Sequence, residues 1–305
     1  MFGKVISAIP SPFDKEDNID TLTLEQYLIN IANSGSSAIV VGGSTGEGTS
    51  LSLEERLYLF ELCKKLAPSS LKVIANIGTN NTNQTINLVC MADFLDLDGY
   101  LCVVPYYVLP TQDGIFEHFK AIADATDKPI IIYNCPNRCG VNVEPNTVLR
   151  IVKECPNVIG IKHASKDVDY IKEIRTLIPD FLIYVGDDEV LLEGLENGAD
   201  GTISVVSNLI GMDVKEIIEN FEKNVIDESL IEYYKIMVEL LKCSTNPIPL
   251  KYILSKKYSN FKHLRLPLTK LDQNSKQKID KILGLNWLSH QFFFFDIYNL
   301  FIVKQ

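Results

Sequence analysis

Histidine is scarce in this chain: only His118, His163, His263 and His290 occur among 305 residues, with no HxH or HExxH arrangement. That scarcity disfavours a metal-dependent mechanism. The cysteines are seven, an odd number, scattered from Cys63 to Cys243, a usage that suits reduced thiols in a cytoplasmic protein. Cys135 and Cys139 lie close together, but no second pair of ligands stands near them, so zinc is not expected. Basic clusters are missing too. A net charge of −10 argues against a nucleic-acid or anionic-membrane surface. The first residues, Met1-Phe2-Gly3-Lys4-Val5, lack the apolar stretch of a signal peptide. The longest aromatic run, Phe292 to Val303, is too short to span a bilayer, and exposed it would be an interaction liability.

What the chain does have is a 46% apolar content and a repeating order of short β-rich runs and helical stretches. The runs are Val5 to Ile9, Ala38 to Val41, Val73 to Ile77, Tyr100 to Val104, Ile130 to Tyr133, Val158 to Lys162, Phe181 to Val185 and Thr202 to Val206. Their near-continuous apolar character predicts parallel strands covered on both faces. Between them, Leu53, Leu57 and Phe60 follow helical spacing behind a Ser52/Glu55 capping box, and Phe116, Phe119 and Ile122 form another such face. Eight repeats of strand then helix predict an α/β fold, a (β/α)8 TIM barrel, over residues 1–210, with a doubly wound sheet as the runner-up. From Asp213 onward only helices are expected, Leu230, Tyr234, Met237 and Leu241 sharing one face, which makes residues 211–285 a C-terminal helical appendage. Residues 286–305 form an aromatic-rich tail to which no role is assigned.

In such a barrel the chemistry sits at the C-terminal ends of the strands. The unusual polar residues all fall there. The second strand runs into Gly42-Gly43-Ser44-Thr45-Gly46-Glu47-Gly48 and the fourth into Pro105-Tyr106-Tyr107. The fifth ends at Tyr133 and continues through Asn134 to Gly140, the sixth ends at Lys162, and the seventh at Gly186-Asp187-Asp188. A strand-end lysine is costly to bury as a cation, so its pKa should fall, and a neutral amine can form a Schiff base with a ketone. Taken alone, such a lysine is better read as snorkelling to solvent; Tyr133, one βα unit away and able to relay protons, reverses the odds. The glycine-rich loop lacks the lysine of a P-loop and the spacing of a dinucleotide fingerprint. A cradle for a small carboxylate and a plain tight turn remain equal readings of it. Arg138, a solvated loop charge by default, suits a second carboxylate.

Together these residues resemble the dihydrodipicolinate synthase family, within the N-acetylneuraminate lyase superfamily of class I aldolases, over residues 1 to about 285. Gly43-Ser44-Thr45-Gly46-Glu47, Pro105-Tyr106-Tyr107, Tyr133-Asn134-x-Pro136-x-Arg138-x-Gly140, Gly160-Ile161-Lys162, Asn246-Pro247-Ile248-Pro249 and Arg265-Leu266-Pro267-Leu268 match in order and spacing. The resemblance implies a cytoplasmic enzyme of lysine and diaminopimelate biosynthesis that condenses pyruvate with aspartate semialdehyde. It implies no cofactor beyond the covalent imine with substrate pyruvate, no metal, no nucleic-acid or membrane partner, and a homotetramer built as a dimer of dimers. Lys162 would form the imine; Ser44, Tyr107 and Tyr133 would relay protons, Tyr107 from a neighbouring subunit. Thr45 would hold the pyruvate carboxylate and Arg138 that of the semialdehyde, while Gly186 and Ile203 would line the pyruvate site. Cys139 stands where threonine is usual, and His163 where glutamate is common. Two alternatives stand beside this reading: a lyase acting on N-acetylneuraminate or a 2-keto-3-deoxy sugar acid, and a non-catalytic keto-acid-binding protein. Arg138 weighs against the first and the Lys162, Tyr133 and Tyr107 set against the second.

Overall fold

The computed structural model describes residues 1–289; the aromatic stretch Phe292 to Val303 lies outside the described residues. Eight strands form a closed, wholly parallel barrel in sequence order: β1 (Val5–Ala8), β2 (Ala38–Val41), β3 (Lys72–Asn76), β4 (Gly99–Val103), β5 (Ile130–Asn134), β6 (Val158–His163), β7 (Leu182–Val185) and β8 (Gly201–Ser204). Pairing of β8 with β1 closes the ring, Ile203 standing beside Ile6. The barrel is the expected fold, and the apolar runs have a physical cause. Alternate residues of each strand enter two different cores. Ile131, Val40, Ile6 and Leu101 pack inside the barrel, whereas Ile130, Ile132, Ile39 and Val41 pack outward against helices. Since both faces are buried, both must be apolar.

The outer layer comprises α1 (Thr21–Ala32), α2 (Leu53–Leu66), α3 (Thr82–Ala92), α4 (Gln112–Ala123) and, after a single turn α5 (Pro136–Cys139) that stays at the barrel rim, α6 (Pro145–Glu154), α7 (Asp169–Leu177), α8 (Leu191–Glu196) and α9 (Ser207–Glu222). The capping box before α2 is present: the Ser52 hydroxyl accepts from the Glu55 amide, and the Glu55 carboxylate accepts from the Ser52 amide. On α4 the face of Phe116, Phe119 and Ile122 is buried. Leu53, by contrast, remains 40% exposed at the first turn of α2.

Strand ends depart from expectation by one or two residues, and one departure has a clear reason. The eighth strand stops at Ser204 because the Val205 and Val206 amides both turn to Asp188 Oδ2, each at 2.9 Å. Helix α9 packs against β1 and β8, so the expected division at residue 210 falls inside the helix that completes the eighth unit. Its backbone leaves helical geometry at that residue, Ile210 (φ −133°, ψ 44°). Beyond it come α10 (Glu228–Leu241), α11 (Ile248–Leu254) and α12 (Gln273–Ser289), with no further strand among the described residues. No helix among those residues is long and apolar enough to cross a membrane.

Candidate active site

Lys162 and Tyr133 are direct register partners at the C-terminal ends of β6 and β5. Strand alternation turns both into the barrel, because their neighbours Ile161 and Ile132 belong to the outward core. The Lys162 ammonium lies 4.4 Å from the centre of the Tyr133 ring, and the two residues are 6% and 8% exposed. Burial is the main cause that lowers the lysine from 10.5 to about 8; Cys135, Asp188 and Asp187 oppose it, and Arg138 adds to it. Burial likewise raises the Tyr133 phenol, helped by Cys135 and opposed by Arg138 and the hydrogen-bonded Ser44. Its hydroxyl therefore keeps its proton at neutral pH. The lysine stem needs the bare backbone of Gly186, where a Cβ would come within 2.8 Å of Lys162 Cγ and Cε.

A cavity of about 260 Å³ opens at this rim, lined by Lys162, Tyr133, Ser44, Thr45, Arg138, Gly186, Cys135, Asn137, Asp187, Asp188 and Asn246, among others. Six of the eight residues expected at the site thus share one space. Tyr107 does not: it is 87% exposed, holds a left-handed backbone (φ 72°), and its amide donates to Cys139 O at 3.2 Å. Ile203 is fully buried inside the barrel but lies off the cavity wall, where Val205 stands instead.

The loop carrying Ser44 and Thr45 is held from below and from the appendage. Gly48 packs so close to Gly42 that a Cβ would meet its carbonyl oxygen at 1.8 Å. Glu47, left-handed at φ 53° and 3% exposed, accepts from Lys251 Nζ at 2.5 Å and from the Arg265 amide at 2.9 Å. Lys251 also donates to Ser11 O at 2.9 Å and lies over the Phe13 ring. The Arg265 guanidinium grips Glu55 through both terminal nitrogens. From the same appendage Asn246 Nδ2 donates to Thr45 Oγ1 at 3.0 Å, so the Thr45 hydroxyl keeps its own proton to donate. Asn246 Oδ1, though buried, has no hydrogen-bond partner among the described residues. At the mouth Glu189 accepts from Lys242 at 2.6 Å and Lys166 at 3.2 Å.

Sequence reasoning missed the Asn246 bond to Thr45, the Glu47–Lys251 pair and the thiol of Cys135 beside Tyr133. Asn246, Thr45 and Glu47 had a signal, since they lie in segments that carry the resemblance, and Lys251 falls two residues beyond one of them; nothing in the sequence said that they meet. Cys135 had none.

The model of the dihydrodipicolinate synthetase family matches residues 1–285. Among curated relatives, 4-hydroxy-tetrahydrodipicolinate synthase of Endomicrobium trichonymphae is 38% identical over 285 residues, covering 93% of this chain and 98% of that protein. The Bacillus subtilis protein of the same name is 36% identical over 287 residues, covering 93% and 99%. Of solved structures, dihydrodipicolinate synthase from Aquifex aeolicus superposes with a TM-score of 0.91 at 34% identity, over 95% of this chain and all of that one. The lysine-bound enzyme of Cyanidioschyzon merolae gives 0.89 at 36% identity, over 93% and 97%. With its buried lysine and tyrosine sharing one rim and the family model matching along 285 residues, this chain belongs to the dihydrodipicolinate synthetase family.

Proposed function

We propose that this chain is a Schiff-base aldolase that condenses pyruvate with L-aspartate-4-semialdehyde to 4-hydroxy-tetrahydrodipicolinate. The observation that carries the reading is a desolvated lysine, lowered to about 8, against a buried phenol in a cavity that also holds Arg138. A pKa near 8 leaves roughly a tenth of the amine neutral at pH 7, enough to attack a ketone. The Lys162 nitrogen adds to the keto carbon of pyruvate, and loss of water gives the iminium. That cation draws electrons from the adjacent methyl carbon, which loses a proton and leaves an enamine. The enamine carbon bonds to the aldehyde carbon, and the new alkoxide takes up a proton. The amine of the adduct then attacks the iminium carbon, closes the six-membered ring and displaces Lys162 as free amine.

Each step moves a proton, and the hydroxyls of Ser44 and Tyr133 are suited to it. Because the Tyr133 phenol stays protonated, it works by accepting one proton as it gives another. Thr45, its oxygen already occupied by Asn246, donates to the pyruvate carboxylate. Arg138, exposed on the cavity wall, takes the carboxylate of the semialdehyde. Gly186 gives the lysine its room, and Ile203 backs the site from inside the barrel. The exposed Tyr107-Val108-Leu109 segment supports a further element of the reading: Tyr107 serves the site of a second copy within a homotetramer assembled as a dimer of dimers.

Borohydride added with pyruvate should inactivate the protein and leave a reduced pyruvyl mass on Lys162. A coupled assay with both substrates should show turnover, and one with N-acetylneuraminate should not. A label on another lysine, or turnover of the sugar acid instead, overturns the reading. For the shared site, mixing Tyr107→Phe and Lys162→Ala subunits should restore part of the activity that each lacks alone.

A further inference from the structure

Directly behind the catalytic pair, on the outward side of the same strand ends, Asn134 and His163 are also register partners. Both are buried, at 0% and 1% exposure. Asn134 Nδ2 donates one proton to Asn142 Oδ1 at 2.6 Å and the other to His163 Nδ1 at 3.1 Å, while Asn134 Oδ1 accepts from the Val143 amide at 3.4 Å. His163 Nε2 lies 3.0 Å from the carbonyl oxygen of Asp167, which can only accept. The imidazole therefore carries its proton on Nε2 and offers a lone pair at Nδ1. Burial keeps the ring neutral, consistent with that tautomer. Tyr170 stacks on it at 4.2 Å and 8°, and the Tyr170 hydroxyl donates to Val143 O at 2.7 Å. Every polar side-chain atom of Asn134, His163 and Tyr170 has a partner, so the Nδ1 acceptor of the histidine and the Val143 amide together dictate the orientation of the Asn134 amide.

The segment between Asn134 and Val143 is the loop that carries Arg138. Its first residue and its last two are held by this one cluster, whereas the arginine itself makes no ion pair among the described residues. We infer that His163 is a positioning residue for the aldehyde substrate: through Asn134 it clamps both ends of the Arg138 loop and so fixes where the semialdehyde carboxylate is received. The inference rests on the function proposed above. It separates two half-reactions, because the clamp acts on the outward side of β5 and β6 and leaves the Lys162 amine and its cavity wall in place.

The test compares His163→Phe, His163→Asn and Asn142→Ala. Phenylalanine keeps the stack on Tyr170 and removes the Nδ1 acceptor; asparagine restores an acceptor near Nδ1; Asn142→Ala cuts the other arm without touching the histidine. His163→Phe and Asn142→Ala should each raise KM for the semialdehyde by roughly 10–100-fold, with borohydride trapping of pyruvate on Lys162 within twofold of the parent, and His163→Asn should recover most of the loss. Amide exchange over residues 135–143 should quicken in the first two variants and not in the third. If His163→Phe fails to fold, Asn142→Ala carries the comparison. Equal damage to trapping and to the aldehyde KM, or unchanged exchange in the loop, overturns the inference. A parent protein that traps pyruvate but never condenses the semialdehyde overturns the functional reading instead, and the exchange data still decide the clamp.

Discussion

An amine held in an apolar wall works against its own solvation, and at Lys162 the sign of that conflict can be worked out. Its folded pKa, about 8, lies below the unfolded value of 10.5, so between those values the unfolded chain binds more protons and stability rises with pH. Below pH 8 the burial costs on the order of 3 kcal/mol. Lys162→Met should therefore be more stable than the parent at pH 7 by about that amount, with the gap closing as pH passes 10.5; denaturant titrations at pH 7 and 10.5 measure it. The variant should form no imine. Arg138 presents the opposite case, exposed and without an ion pair among the described residues. Arg138→Ala should leave stability unchanged and lower kcat/KM for the semialdehyde on the order of 10²-fold, since only a substrate carboxylate loses its fork of donors. Steady-state kinetics at saturating pyruvate check it. Both side chains were legible in the sequence, one as a charge at the end of an apolar run and the other as a guanidinium in a loop at the same rim. Asn246 was not, because an amide 201 residues from Thr45 has no local pattern to reveal the bond.

At the scale of elements, the appendage matters through what it inserts. Lys251 of α11 and Glu47 of the β2 loop are each 1% exposed at the side chain. Removing one partner of such a pair strands a buried charge, typically at about 3–5 kcal/mol. Lys251→Met should lose roughly that much in urea melts, and adding Glu47→Gln should return most of it, the residual deficit marking the lost bond to Ser11 O. The order of the eight strands was legible because each divides its residues between two apolar cores, a pattern that no exposed loop reproduces. Strand ends were less so. Whether Val205 pairs with β1 or turns to Asp188 depends on a carboxylate 17 residues away. Helix α9 blurred as well, its first turn broken at Ile210.

Taken whole, the described residues include two histidines buried neutral, His118 and His163, each lowered to about 4 by burial. Asp167 opposes the shift at His163, whose ring packs on Tyr170; His118 Nδ1 bonds Thr82 at 2.9 Å, and its Nε2 has no partner among the described residues. The unfolded chain protonates both near 6.5, so their contribution to stability is complete above that pH and is lost as pH falls toward 4. Unfolding at pH 5 should take up close to one proton per histidine. Calorimetry in buffers of differing ionisation enthalpy should find the uptake reduced by about one in His118→Gln and by about one in His163→Asn.

The Glu47–Lys251 pair also sets an order of events during synthesis. The two residues are 204 positions apart, so at ~5–20 residues per second the ribosome delivers the lysine roughly 10–40 s after the glutamate. Throughout that interval the carboxylate lacks the cation against which it is buried in the folded protein, and burying it unpaired would be costly. All eight strands have left the ribosome before Lys251 does, so a nascent chain can close its barrel while the rim still lacks the pair that seats the Ser44–Thr45 loop. Such a chain is shaped like the enzyme some seconds before it is one.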